Sequence, residues 1–357
     1  MKLYVNGRFL GRRATGVERF GREMLLRIDA WAGSGLLKDF QIEILVPATA
    51  SIQVEFMHLK YSAVGKLGGQ AWEQLELPFY ARKGLLLNLC NLGPLLAGRQ
   101  VVCMHDAATS ALPLAFSWRF RRWYSLALPI LGKRAKKVVT ISEFSAQELR
   151  RWYSVPKEKL TVVSEGGEHI RRVTAEPFPI ALQEGRFYLL AVGSQAAHKN
   201  LKVVFEALSL VQDLPVDLIL VGGANAGIFA GPQSSESERI IRAGYVSDGV
   251  LKSLYQRASA FLFPSLYEGF GIPPLEAMHC GCPVIASNAA CMPEILGDAA
   301  LFFDPHSAEA LASQIRILFS DDGLRRNLSE RGVRRAAHYS WDRGAKDLIQ
   351  TCRDAAA

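Results

Sequence analysis

Short runs of apolar residues alternate along the chain with longer stretches in which apolar positions recur at the spacing of a helix. Short apolar runs bounded by turn residues are typical of strands that are buried on both faces of a parallel sheet. The strands predicted in the first half are Leu3–Asn6, Gln41–Val46, Leu85–Leu87, Val101–Met104, Lys137–Ile141 and Thr161–Val163. Those predicted in the second half are Tyr188–Val192, Asp217–Val221, Ile240–Arg242, Ala260–Phe263, Pro283–Ala286 and Leu301–Phe303.

Helical patterns separate most of these strands, for example at Val17–Ala30, Ser145–Tyr153 and Leu201–Val211. A strand–helix–strand rhythm predicts parallel sheets that are covered by helices on both faces. The rhythm occurs twice, and the break between its two parts contains Pro177, Pro179 and Gly185, which are typical of a linker. The sequence therefore predicts an α/β chain of two domains, residues 1–172 and 173–340.

Length and composition fit this division and exclude several other classes. A chain of 357 residues, 49% apolar and 21% charged, suits two folded domains rather than a disordered protein. The first residues read as a strand rather than an export signal, and we find no run of about 18 uncharged apolar residues. We therefore expect a cytoplasmic protein with reduced cysteines. Cys280-Gly281-Cys282 lacks the spacing of a zinc site, so no metal site is expected.

The charge is divided unevenly between the two halves. Residues 1–172 contain 26 Lys and Arg against 14 Asp and Glu, and the remaining residues contain 16 against 20. The first domain thus carries a net charge of +12 and the rest carries −4, which together give the +8 of the whole chain. A basic domain favours an anionic partner, such as a phosphorylated substrate, a membrane surface or nucleic acid.

The most informative segment is Phe263–Ala277, which reads FPSLYEGFGIPPLEA. It follows a predicted strand, and Pro273-Pro274 suits the first turn of a helix, where a backbone N–H would be unpaired in any case. The glycines at positions 269 and 271 let the backbone N–H groups approach a polar ligand closely. Glu268 on the loop and Glu276 in the helix can accept hydrogen bonds from different hydroxyl groups of one ligand.

Glu268 and Glu276 resemble the two ends of the E-x7-E signature of retaining glycosyltransferase family 4, a family with the GT-B fold. Other segments resemble that family at matching positions: Asn6–Leu10, Thr15–Phe20, Val102–Asp106, Thr140–Ser145, Gly193–Leu201, Gly281–Ser287 and Pro293-Glu294. The resemblance implies two Rossmann-like domains whose parallel sheets face each other across a central cleft. It also implies that a C-terminal helix at about 341–357 crosses back onto the N-terminal domain, which binds the acceptor.

The resemblance further implies roles for individual residues. Glu276 would bind the ribose of a nucleotide-sugar donor, Glu268 would hold the transferred sugar, and Lys199 would neutralise the diphosphate that leaves. His105 would reach a sugar hydroxyl, which gives His105, Glu268 and Lys199 as catalytic residues. The implied donor-binding residues are Gly16, Ser194, His198, Lys199, Tyr245, Val246, Glu268, Gly269, Phe270, Gly271 and Glu276. No metal or other cofactor is implied.

One departure from the family pattern concerns the diphosphate. Many relatives carry an arginine where this chain has Ser194, and the chain has His198 where they read arginine. Lys199 would then carry the phosphate charge alone, or protonated His198 would assist it. A subgroup that uses GDP-mannose tolerates a small residue at the position of Ser194, so we expect this donor.

A basic and aromatic segment extends over residues 112–137. Arginines interleaved with aromatic residues suit a helix that lies on an anionic lipid surface. The residues expected there are Arg119, Arg121, Arg122 and Trp123. The alternative is a helix that packs on the sheet and exposes a basic face to solvent. No nucleic-acid motif accompanies the charge.

We therefore expect a metal-independent glycosyltransferase at the inner face of the cytoplasmic membrane. It would transfer a hexose, mannose from GDP-mannose, with retention to a glycan or a polyprenyl-diphosphate-linked glycan in cell-surface polysaccharide synthesis. The alternatives are a UDP-, ADP- or dTDP-sugar donor, another enzyme class on the same scaffold, and an inactive membrane-associated or nucleic-acid binding protein.

Overall fold

A computed structural model describes residues 1–12, 15–52, 54–178, 185–194, 196–223 and 239–357. The chain forms two compact units, Met1–Glu165 with Ser340–Ala357, and Gly166–Tyr339. The boundary predicted from the sequence assigned residues 166–172 to the first domain, whereas the structure places them in the second unit. Pro179 of the predicted linker lies outside the described residues.

The first unit is built on a parallel sheet that has seven strands in the described part of the chain, in the order β3-β2-β1-β4-β5-β6-β7. The strands are β1 Lys2–Asn6, β2 Gln41–Pro47, β3 Lys60–Val64, β4 Leu85–Asn88, β5 Gln100–Cys103, β6 Lys137–Thr140 and β7 Leu160–Val162. Chain order reverses between β1 and β4, which makes their carboxyl ends the switch point of this sheet.

Helices surround this sheet. They are α1 Gly16–Ser34, α2 Gly69–Ala71, α3 Leu77–Ala81, α4 Ala108–Ala111, α5 Trp118–Arg134, α6 Glu143–Tyr153 and, from the C-terminus, α14 Trp341–Ala356. A π-helical segment covers Trp72–Glu76, and 3₁₀ turns cover Arg8–Gly11, Pro113–Ala115 and Lys157–Lys159. The hydroxyls of Ser142 and Ser340 cap α6 and α14. The amphipathic α14 buries Trp341 against Phe20 of α1.

The second unit contains a parallel sheet with six strands among its described residues, in the order β10-β9-β8-β11-β12-β13. The strands are β8 Phe187–Val192, β9 Val216–Val221, β10 Ile240–Gly244, β11 Ala260–Phe263, β12 Val284–Ser287 and β13 Ala300–Phe303. The helices are α7 His169–Arg172, α8 Leu201–Ser209, α9 Asp248–Arg257, α10 Ile272–His279, α11 Met292–Leu296, α12 Ala308–Ser320 and α13 Asp322–Ala336. 3₁₀ turns cover Ala197–Lys199 and Gly297–Ala299.

The core of the second unit explains why its strands read as continuous apolar runs. Leu189, Leu218 and Leu262 from three neighbouring strands are at most 1% exposed and pack against Val203 of α8 and Leu311 of α12. Side chains on both faces of the sheet are buried, so no polar alternation remains in these strands. The switch point of this sheet lies between β8 and β11.

Twelve of the strands were predicted from the sequence, with ends that agree to within two residues. The prediction missed β3, an edge strand in which Lys60 and Tyr61 are exposed. An edge strand that is not buried lacks the apolar run on which the prediction relied. Within the described ranges, no helix combines the length and the apolar character that a membrane span requires.

Candidate active site

The predicted E-x7-E segment forms a tight loop between β11 and α10. Gly271, the last loop residue, has a φ of +102°, and a Cβ at this position would lie 2.7 Å from Cε of Met292. The backbone conformation therefore favours glycine here, and a larger residue would in addition displace the end of the Met292 side chain. The buried thiol of Cys291 lies 3.2 and 3.3 Å from the carbonyl oxygens of Glu268 and Phe270 and can donate its single hydrogen to either. These contacts fix the loop, and the two prolines begin α10 in its first turn, as predicted.

Glu276 lies in α10 and is only 5% exposed. His169 Nε2 lies 2.7 Å from its Oε1, and the Tyr255 hydroxyl lies 3.0 Å from its Oε2. A buried carboxylate is costly unless its oxygens are paired, and here both oxygens lie beside a donor. Each oxygen can accept further hydrogen bonds, so the group can also bind ligand hydroxyls. Burial, and secondly the Glu276 charge, raise the pKa of Tyr255 well above its ordinary value, so its hydroxyl remains a donor.

The partners of Glu276 were not predicted as site residues. His169 lies 107 positions from Glu276 along the chain, and α7 brings it to α10. The close approach depends on Gly167, because a Cβ there would lie 2.8 Å from the Cβ of Leu275. Glycine next to a short polar segment was the only local signal in the sequence, and it does not reveal which helix lies opposite.

Lys199 and Glu268 form an ion pair, with 2.6 Å between Nζ and Oε1. Their side chains are 21% and 17% exposed, so both charges are partly shielded from water yet remain accessible to a ligand. The aliphatic part of Lys199 runs past Gly193, where a Cβ would lie 3.6 Å from Cδ. The resemblance implied that these two charges serve one ligand, and the structure brings them into direct contact.

Neighbouring residues anchor the turn that carries Lys199. Asn200 adopts the left-handed conformation with a φ of 53° and donates to the carbonyl oxygens of Pro264 and Pro305, at 3.2 and 2.7 Å. The carbonyl oxygen of His198 accepts from the backbone N–H of Leu266 at 2.8 Å. The turn after β8 is thereby tied to the loop after β11, so Lys199 and Glu268 lie at the switch point, where open α/β sheets bind their ligands.

The other predicted donor residues of this unit lie at the same edge of its sheet. Ser194 is exposed just after β8. Tyr245 and Val246 directly follow β10 at the side of the sheet, and Tyr245 is 57% exposed. Carboxyl ends of parallel strands share one edge, but β10 is separated from β8 by β9. A contact of this pair with a nucleotide base stays a prediction.

In the first unit, His105 lies just after β5 and is 2% exposed. Its Nε2 lies 2.9 Å from the carbonyl oxygen of Leu89, and its Nδ1 lies 3.5 Å from Oε1 of Glu165. The ring of Phe20 packs edge-on against it at 4.8 Å. Both ring nitrogens are therefore engaged inside the first unit. Contact of His105 with a sugar hydroxyl stays a prediction.

The neighbouring carboxylate of Glu165 raises the pKa of His105. Burial lowers the pKa of His105, but the hydrogen bond and charge of Glu165, together with the Leu89 carbonyl and the charge of Asp106, raise it by more, so the pKa lies above the ordinary 6.5. A raised pKa in the folded state means that the pair stabilises the unit below about pH 6.5 and loses this contribution as the pH rises through the raised pKa. We expect Glu165→Gln to lower the titration midpoint of His105, because the carboxylate charge that opposes the effect of burial is then lost.

Nuclear magnetic resonance of protein labelled at the histidine ring nitrogens would measure this midpoint. Glu158→Gln, which changes an exposed carboxyl of the same unit, should leave it in place. A midpoint that does not move in Glu165→Gln would show that Glu165 is not the group that raises the pKa of His105.

Gly16 is the first residue of α1, a helix of 19 residues. Thr15 and Glu18 form a capping box, in which the Thr15 N–H donates to Glu18 Oε2 at 3.2 Å. Apart from its chain neighbours and the backbone of α1, no atom of the described residues lies within 4 Å of a Cβ built on Gly16, so the first turn has open space beside it. The N-terminus of a long helix favours anions. The predicted phosphate contact is compatible with this geometry and stays a prediction.

The basic and aromatic segment forms α5. Trp118 and Phe120 are 59% and 41% exposed, and the guanidinium groups of Arg119 and Arg122 lie 5.5 and 5.9 Å from the Trp118 ring centre. Trp123, which the sequence analysis placed at a membrane, is partly buried against the core of the unit. Of the aromatic side chains of α5, Trp118 and Phe120 are thus the ones that solvent reaches most freely, and the sequence pattern did not single them out.

Comparison with known proteins identifies the family and the fold. The family described as glycosyl transferases group 1 matches residues 173–335, and glycosyltransferase family 4 matches residues 85–167. O-antigen chain mannosyltransferase B of Escherichia coli is 33% identical over 260 residues, which are 68% of this chain and 67% of that protein. O-antigen chain mannosyltransferase RfbU of Salmonella typhimurium is 30% identical over 66% of this chain and 65% of its own. The serotype-specific mannosyltransferase WbdA of Escherichia coli is 27% identical over 65% of this chain, which is 30% of its length.

Solved structures match over nearly the whole chain. Sucrose-phosphate synthase from Thermosynechococcus elongatus is 20% identical and superposes with a TM-score of 0.74 over 99% of this chain and 98% of its own. WaaG, a glycosyltransferase involved in lipopolysaccharide biosynthesis, is 16% identical with a TM-score of 0.68 over 98% of both chains. The fold is thus that of a GT-B glycosyltransferase. Together with the sequence matches, it shows that the chain belongs to glycosyltransferase family 4.

Proposed function

We propose that the protein is a retaining, metal-independent hexosyltransferase that moves mannose from GDP-mannose to a glycan or a lipid-diphosphate-linked glycan in cell-surface polysaccharide synthesis. The observation that carries the proposal is the pairing of Lys199 with Glu268 at the switch point, beside a buried Glu276. The mannosyltransferase names of the O-antigen relatives support the sugar and the pathway class. UDP-, ADP- and dTDP-sugars are the alternative donors.

The donor would bind along the carboxyl edge of the second sheet. Glu276, held by its two buried partners, would accept hydrogen bonds from the ribose hydroxyls, and Glu268 would accept them from the sugar. The backbone N–H groups of Phe270 and Gly271 would donate to the sugar or the phosphate. Lys199 would face the diphosphate and supply the positive charge that a metal ion provides in other transferases. Ser194 leaves room beside the phosphates, and His198 would add charge only when protonated.

Retention would follow from attack on the same face of the sugar from which the diphosphate departs. The acceptor oxygen forms its bond to the anomeric carbon as the bond to the diphosphate breaks, and the departing phosphate oxygen takes the acceptor proton. Lys199 would stabilise the negative charge that develops on the leaving group. We assign no covalent intermediate, because Glu268 is engaged with Lys199 and His105 is enclosed.

The donor is tested by calorimetric titration with GDP, UDP, ADP and dTDP, followed by turnover of the matching mannose or other sugar nucleotides. We expect GDP to bind and GDP-mannose to be consumed, and magnetic resonance of the product should show the anomeric configuration of the donor. Binding of UDP without binding of GDP would show that the donor is a UDP-sugar rather than GDP-mannose. An absence of binding to all four nucleotides would overturn the donor site.

We also propose that α5 places the protein on anionic lipid, with Trp118, Arg119 and Arg122 at the surface. Arginines near a charged membrane contribute about 1 kcal/mol each. The double variant Arg119→Ala with Arg122→Ala should therefore bind vesicles of phosphatidylglycerol and phosphatidylcholine roughly 30-fold more weakly in sedimentation at low salt.

A double variant on another helix of the same unit controls for the loss of charge alone. Arg150→Ala with Arg151→Ala removes two exposed arginines from α6 and should leave vesicle binding nearly unchanged. Equal losses in the two double variants would show that net charge, rather than α5, determines binding. The single variant Arg121→Ala is tested by the same vesicle sedimentation.

A further inference from the structure

A small pocket lies at the carboxyl ends of β1 and β4, the switch point of the first sheet. Asn6, Arg8, Arg12, Glu73, Leu89 and Cys90 are among the residues that line it. Its void is about 10 Å³, which is room for roughly one water-sized group. Open α/β sheets bind ligands at this position, yet none of these side chains has a role in the donor site of the second unit.

Arg8 is fixed in this pocket by a buried carboxylate. Its Nε donates to Oε2 of Glu73 at 2.7 Å, and Asn6 Nδ2 donates to the same oxygen at 2.9 Å. The side chains of Arg8 and Glu73 are 9% and 1% exposed. The guanidinium group therefore cannot move freely, and the directions of its remaining N–H bonds are set by the fold.

One nitrogen of the Arg8 guanidinium group lacks a hydrogen-bond partner among the described residues. Within the described parts of the chain, Nη1 of Arg8 is buried and has no hydrogen-bond partner. A buried N–H of a charged group costs free energy when it is unpaired, so a partner is expected for it. The void beside it has the size of one oxygen atom of a ligand.

The charges around the void favour an anionic oxygen. Arg12 is an exposed residue that also lines the pocket, so two arginines and one carboxylate, that of Glu73, belong to the lining, while the charge of Glu18 acts on Cys90 from outside it. Burial, and then the charge of Glu18, raise the pKa of Cys90 well above its ordinary value, so the thiol stays neutral and does not pair with the arginines. Arginine groups of this kind recognise phosphate by charge-assisted hydrogen bonds.

We propose that this pocket binds one oxygen of a phosphate group of the acceptor, between Nη1 of Arg8 and the guanidinium group of Arg12. The assignment to the acceptor rests on the proposed transfer to a diphosphate-linked glycan, whereas the anion pocket itself stands on its own geometry. The phosphate group lies outside the void, at the rim that Arg12 forms, and only one oxygen enters. The donor diphosphate uses Lys199 of the other unit.

Calorimetric titration with inorganic pyrophosphate tests the pocket. The background protein is Lys199→Ala, in which the proposed donor charge is absent. Adding Arg12→Ala should weaken pyrophosphate binding about tenfold, since one charge-assisted contact is lost. Arg8→Lys keeps a positive charge beside Glu73 but removes Nη1, and it should weaken binding several-fold while circular dichroism shows an intact fold.

Arg99→Ala is the matched control. Arg99 is exposed and precedes β5, at the amino end of the same parallel sheet, so its loss removes equal charge from the opposite edge. Pyrophosphate affinities within twofold of the background in both Arg12→Ala and Arg8→Lys would overturn the pocket. An equal loss in Arg99→Ala would overturn it as well.

A second titration, with GDP on the protein that retains Lys199, separates the acceptor from the donor. Arg12→Ala should leave GDP affinity unchanged. An equal weakening of GDP and pyrophosphate would assign the pocket to the donor diphosphate and overturn the acceptor assignment. If GDP does not bind and pyrophosphate still responds to Arg12, the proposed function fails while the anion pocket is supported.

Discussion

Glu276→Gln should weaken GDP binding roughly 10- to 100-fold, because hydrogen bonds from ligand hydroxyls to a charged carboxylate contribute about 1.5–3 kcal/mol. Glutamine has nearly the same shape, and with its oxygen towards His169 its amide group can donate to the Tyr255 hydroxyl, so the side chain keeps its place between them. Its amide nitrogen donates hydrogen bonds where a carboxylate oxygen accepted them, and one ribose hydroxyl loses its acceptor. Calorimetric titration of GDP against both proteins measures the difference directly.

The substitution is preferable to alanine, which would leave the hydroxyl of Tyr255 and the Nε2 of His169 buried without their acceptor. Loss of stability would then be mixed with loss of binding. Glu330→Gln, which changes an exposed carboxylate of α13 in the same unit, is the control and should bind GDP as the unchanged protein does. Equal affinities in Glu276→Gln and the control would show that Glu276 does not contact the nucleotide.

The surroundings of Glu276 show what the sequence can and cannot predict. The strand before the loop, the required glycine at 271 and the prolines of the first helical turn are local features, and the sequence predicted them. The pairing with His169 and Tyr255 is a tertiary contact between three helices. The glycine at position 167 is a local signal of a close approach, but the spacing along the chain does not determine which helices pack together.

The first unit shows the same limit. The pattern of arginines and aromatic residues predicted a helix near residues 112–137, and α5 occupies Trp118–Arg134. Which aromatic side chains face solvent depends on how the helix packs, and the structure exposes Trp118 and Phe120 while Trp123 faces the core. The edge strand β3 was missed because exposure removes the apolar run by which buried strands are predicted.

Lys199→Ala should lower kcat for sugar transfer by about 10²–10³, the usual cost of removing one preorganised group that stabilises charge in the transition state. The lysine would oppose the charge that develops on the departing diphosphate. Its loss would also leave the Glu268 carboxylate, now 2.6 Å from Nζ, without its cation beside an anionic donor, so the donor KM should rise too. Steady-state kinetics with the sugar nucleotide identified by titration gives both constants.

Two further variants separate these effects. Adding Glu268→Gln to Lys199→Ala removes the repulsion and should recover part of the donor affinity, measured by calorimetry, without recovering kcat. Lys199→Arg keeps the charge and should retain more activity than the alanine variant. Lys202→Ala, which removes an 85% exposed lysine from α8, should change neither constant. An unchanged kcat in Lys199→Ala would show that another group stabilises the leaving diphosphate. A pH profile of kcat between about 6 and 8 would then test whether protonated His198 supplies that charge.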